Sequence, residues 1–105
     1  MKDLETWIYV LVDTSFISVN GTEYACVLDG SDVQLFANYD AAIGEKAFRQ
    51  EELYKRGFHL TNSGYETDEQ RPCYWSRVEK IDGTAHLLAI YKKVVTGDLF
   101  QVRRS

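Results

Sequence analysis

Trp75, Arg77, Glu79 and His86 are the residues of this chain whose types and spacing could do chemistry together. Trp75, Arg77 and Glu79 alternate along residues 73–81, a run that reads as a strand, so their side chains fall on one side of it. Asp82-Gly83 is a hairpin signal, and residues 84–95 read as the returning strand. A two-residue turn there sets the register: Ile81 faces Thr84, Glu79 faces His86, Arg77 faces Leu88 and Trp75 faces Ile90. A carboxylate held against an imidazole can orient a general base, and it can equally hold a polar contact at an interface. Tryptophan and arginine are the residue types most enriched among binding hot spots. The plain alternative is a surface ion pair of little energetic weight beside a half-buried tryptophan. The second face has Tyr74, Ser76, Val78 and Lys80 opposite Tyr91, Ala89, Leu87 and Ala85. It is the smoother of the two and is expected to lie under a helix.

The elements that must position these residues follow from periodicity and turn chemistry. Residues 7–12 are apolar on both faces and β-branched or aromatic, which predicts a strand inside the sheet. Residues 13–15 are expected to bend or bulge it before a further strand at 16–19. Asn20-Gly21 is a tight-turn signal, since both central residues of a type I′ turn need positive φ. Strands at 22–28 and 33–37 complete a meander, with a turn at Asp29-Gly30-Ser31. Residues 39–56 read as a helix capped by Asn38 or Asp40, with Ile43, Ala47 and Tyr54 as its apolar stripe and Gly57 after its end. Gly44 within it suggests close contact with the sheet. Residues 61–72 are polar apart from Tyr65 and read as a flexible acidic loop. Residues 99–102 could add a short edge strand, and 103–105 are expected to fray. The order of strands, helix and strands predicts a single α+β domain. An antiparallel sheet, built from an N-terminal meander and a C-terminal β-hairpin, packs against one main α-helix.

Composition narrows the classes. The chain has 105 residues, 45% hydrophobic and 27% charged, which is ordinary for one globular domain. No run reaches the roughly 18 apolar residues of a membrane-spanning helix, and the first residues lack the pattern of a secretory signal. The protein is therefore expected to be cytoplasmic, and Cys26 and Cys73, far apart and outside any CxxC, to be buried free thiols. Residues 1–70 hold 13 acidic and 5 basic side chains, while residues 71–105 hold 3 acidic and 7 basic. The acidic balance argues against direct nucleic-acid binding, which needs lysine and arginine for the phosphates.

Catalytic and cofactor motifs are missing from the sequence. It has no glycine-rich phosphate loop, no GxSxG and no HExxH. His59 and His86 are the only histidines, and the acidic run Glu66, Asp68, Glu69 lacks the ligand spacing of a calcium loop. No metal, no cofactor and no catalytic residue is expected.

The reading that results is a small acidic module that acts by occupying the surface of another protein. Its partner-binding residues are Trp75, Arg77, Glu79, His86, Tyr65, Glu66, Asp68 and Glu69. In character it resembles compact inhibitors of the anti-CRISPR kind, carried by phages and mobile elements. Those are short, acidic and free of enzyme motifs, and an acidic face can mimic nucleic acid for a basic, nucleic-acid-binding host protein. The likeness is one of character, and no motif carries it. Two other readings compete: a small-molecule-binding domain or small enzyme with a Glu79/His86 site, and an accessory subunit forming a homodimer through a sheet edge, the 84–95 strand being the candidate.

Overall fold

The computed structural model describes residues 5–26, 32–66 and 73–96. It has the expected α+β architecture, a six-stranded antiparallel sheet with one helix on one face. The strands are β1 (Glu5–Val19), β2 (Thr22–Ala25), β3 (Val33–Phe36), β4 (His59–Tyr65), β5 (Tyr74–Glu79) and β6 (Ala85–Thr96), with helix α1 (Tyr39–Lys55) between β3 and β4. Their spatial order is β2-β1-β6-β5-β4, with β3 pairing β1 beside β2.

β1 is one strand of 15 residues and does not bend at 13–15. Thr14, Phe16, Ile17 and Val19 all suit extended backbone, so the pattern continues through Asp13. β2 and β3 pair with successive stretches of its outer edge, so the N-terminal third is a hairpin followed by a second return to β1. Asn20 (φ 52°) and Gly21 (φ 81°) make the β1–β2 turn as their types dictate. β4 occupies 59–65 and so takes in residues 61–65 of the stretch expected to be a loop, and β5 gives it its hydrogen bonds. The expected strand at 99–102 and the ends at 27–28 and 103–105 lie outside the described residues.

The β5–β6 hairpin is shifted by one residue from the sequence reading. Val78 pairs with His86, Ser76 with Leu88 and Trp75 with Ala89. A type I′ turn needs positive φ at two successive residues, and here Gly83 alone has it (93°). The Gly83 N–H donates to the Lys80 carbonyl at 3.0 Å and the Lys80 N–H to the Thr84 carbonyl at 2.9 Å, which makes a three-residue loop. Asp82 stays out of the left-handed region because its Oδ1 accepts from both the Thr84 amide (2.9 Å) and the Thr84 hydroxyl (2.7 Å). One extra loop residue turns every β6 side chain to the other face. β6 lies between β1 and β5 over residues 85–90, while its residues 91–96 pair with β1 alone among the described residues.

The helix begins at Asn38, whose Oδ1 accepts from the Ala41 amide at 2.8 Å. It ends in a Schellman motif: Gly57 (φ 99°) donates to Tyr54, and Phe58 to Leu53. Phe58 then folds onto Leu53 in a cluster with Val78 and Leu88, and a second cluster joins Leu11, Ala42 and Ile90. The buried stripe of α1 is Ala42, Lys46 and Leu53, rotated from the expected Ile43, Ala47 and Tyr54. Gly44 makes no close contact with the sheet, since a Cβ there would meet open space. Both cysteines are free, but Cys26 is exposed and Cys73 only partly buried. Among the described residues no helix is long and apolar enough to cross a membrane.

Candidate functional site

Helix α1 covers the sheet face that bears Leu11, Val78, Leu88 and Ile90. The opposite face bears Ile8, Val10, Val12 and Phe16 of β1, Leu87 and Tyr91 of β6, and Trp75, Arg77 and Glu79 of β5. No described element packs over it, and its large side chains are all partly exposed. Ala85 and Ala89 lie at its floor, buried between larger neighbours.

Two local devices shape this face. Gly64 of β4 stands opposite Trp75 and leaves room for the indole to lie against the backbone. A Cβ on Gly64 would come within 2.7 Å of three indole atoms, so the glycine is there for close approach. Arg77 lies across the Phe16 ring, 5.4 Å from its centre, and is held from both sides. It donates to Glu23 of β2 and, at 2.8 Å, to Glu79, whose carboxylate also accepts from the Thr61 hydroxyl at 3.1 Å. The Arg77 hydrogen bond, then that of Thr61, lowers the Glu79 pKa, and bonds to Glu23 and Glu79 raise that of Arg77. The result is a polar bar across an apolar sheet. It fixes the arginine and leaves one net negative charge.

The sequence-predicted site is thus divided. Trp75, Arg77 and Glu79 share the helix-free face as expected. His86 does not join them, because the register shift turns it to the helix side. There its Nδ1 lies 2.7 Å from Asp13 Oδ1, with the ring edge-on to Phe58 at 5.1 Å. The Glu79–His86 pair is therefore absent, and Asp13 takes the carboxylate's place. Ser15 pairs with His86 across the ladder, and the Cys26 N–H donates to the Ser15 carbonyl at 2.8 Å. Among the described residues the hydrogen-bond partner of the His86 ring is Asp13. Tyr65 pairs with Tyr74 and also belongs to the helix side, beside Tyr9, Tyr39, Cys73 and Lys92. The Glu66 N–H donates to the Cys73 carbonyl at the end of the β4–β5 ladder. Asp68 and Glu69 lie outside the described residues. No cluster of metal-ligating side chains occurs among the described residues.

Glu23, Phe16, Gly64 and Asp13 were not legible as site residues. The alternation that continues through 13–19 was the available signal for the last of these. The chain matches no protein-family model, no curated protein and no solved structure.

Proposed function

We propose that this protein is a binding module that receives a partner protein on the helix-free face of its sheet. The observation that supports this reading is the row of large apolar and aromatic side chains, Val10, Val12, Phe16, Trp75, Leu87 and Tyr91, with no described layer above it. Each keeps part of its surface accessible, and apolar surface left open on a sheet face is suited to an interaction site. A tryptophan packed against Gly64 and an arginine held over an aromatic ring by two carboxylates are suited to anchor a contact at low entropic cost. The carboxylates of Glu23 and Glu79 and the acidic balance of residues 1–70 favour a partner with a basic surface, as a compact inhibitor of a nucleic-acid-binding protein would need.

The test is a tagged pull-down at low and moderate salt from a lysate of the source organism or its host. It compares the unaltered chain with Trp75→Ala, with Leu87→Lys, and with Phe48→Ala on the exposed side of the helix. The expected result is one stoichiometric partner, weakened by salt and lost with the first two variants while Phe48→Ala retains it. Circular dichroism checks that each variant is folded. A partner that survives Leu87→Lys in a folded protein overturns the assignment of this face. Mass in solution that rises with concentration and falls with Leu87→Lys would identify the occupant as a second copy.

A further inference from the structure

The helix side of the sheet holds a charge without a counter-charge. Lys46 leaves only 2% of its surface exposed, yet no carboxylate among the described residues pairs with it. Its ammonium donates to Ser76 Oγ at 2.6 Å and Gln50 Oε1 at 3.1 Å and sits 3.8 Å from the centre of the Tyr74 ring, all neutral groups. Burial lowers its pKa to about 8. A buried unpaired ion is costly, and a methionine of similar length would fill the same space without that cost. Packing alone does not account for the lysine.

Beside Lys46 lies a cavity of about 250 Å³, lined by Ile43, Ala47, Gln50, Tyr54 and Tyr74, with Glu51 among its walls. The Tyr54 oxygen accepts from Gln50 Nε2 at 2.7 Å, which leaves the Tyr54 hydroxyl proton free to donate. A cation and a neutral donor thus line one half-open cavity with aliphatic and aromatic walls.

We propose that this cavity is a binding site for a small organic carboxylate, whose oxygens take the Lys46 ammonium and the Tyr54 hydroxyl while its apolar body lies against Ile43 and Tyr74. Binding supplies the missing counter-charge. One cation and one neutral donor match a monoanion better than phosphate, whose second charge would stand unmatched beside Glu51. The cavity is on the opposite side of the sheet from Trp75, so this site and the partner face are tested separately.

The experiment is thermal unfolding at pH 7 with acetate, benzoate and phenylalanine, each compared with its primary amide, alongside inorganic phosphate. The expected result is a rise in Tm of about 5 °C for at least one acid at tenfold excess over its Kd. The amide and phosphate give none, and the rise shrinks as the pH passes 8 and Lys46 loses its charge. Lys46→Met should abolish the rise. Ala47→Phe, which fills the cavity from a solvent-exposed helix position and leaves Lys46 in place, should do the same. No rise with any acid, an equal rise with the amides or phosphate, or a rise that survives both variants overturns the proposal.

Discussion

Leu87 and Leu88 are neighbours in β6, and their surroundings differ. Leu88 is fully buried with Val78, Leu53 and Phe58 beneath α1, while Leu87 keeps part of its surface on the side without a helix. The two faces they represent are similarly apolar in composition. What separates them is a second layer, which one face has and the other lacks among the described residues. Burial is therefore a property of the pair of layers, and an apolar strand sequence states only that a layer is wanted.

The comparison can be broken first at these two leucines. Leu88→Ala should cost about 2–5 kcal/mol, because the cavity it leaves cannot collapse between sheet and helix. Leu87→Ala should cost about 1 kcal/mol or less, since water already reaches that side. Denaturant midpoints measure both. Equal losses would mean that the Leu87 face is covered as completely as the other. A sharper probe of the open face is Gly64→Ala, whose Cβ would meet the Trp75 indole. A loss of about 1–3 kcal/mol is expected, with tryptophan fluorescence altered as the ring is displaced.

The covered face has its own exception, and its size can be read from pH. The Lys46 pKa in the folded state is about 8, below its ordinary value of 10.5, so between those values the unfolded chain binds more protons. Stability should be flat in this respect below pH 8 and rise from pH 8 towards 10. Above pH 10 the rise is opposed, because burial, with smaller contributions from Tyr65 and Cys73, raises the Tyr39 pKa, and the folded state then holds the extra proton. Lys46→Met should remove the alkaline rise, since the group that titrates is gone. Stability curves at stepped pH test both. The smallest expected effect belongs to Gly44→Ala, which enters open space inside α1 and should stabilise by about 0.5–1 kcal/mol.

Much of the architecture was legible because it rests on local chemistry. Asn38 before the helix and Gly57-Phe58 after it are short-range hydrogen-bonding devices, and they form as their types require. Asn20-Gly21 likewise makes its turn. The face shared by Trp75, Arg77 and Glu79 was legible too, since alternation along a single strand survives any change in pairing. The helix stripe was misread for a reason of context. Lys46 is buried and Ala47 exposed, an order that an apolar periodicity cannot anticipate because Ser76 and Tyr74 of β5 supply contacts to the lysine from another element.

By itself the sequence determined the fold class, the helix with its caps, the tight turn at Asn20-Gly21 and the common face of Trp75, Arg77 and Glu79. Each depends on bonds or alternation within a few residues. Tertiary structure decided which residues meet across strands. Asp82 had two ways to use its side chain, and its bonds to Thr84 go with a three-residue loop and turn His86 from Glu79 to Asp13. The same assembly brought Glu23 to Arg77, 54 positions away, and Lys46 to Ser76, 30 away. Contacts of that range depend on the path of the whole chain, and no local pattern encodes them.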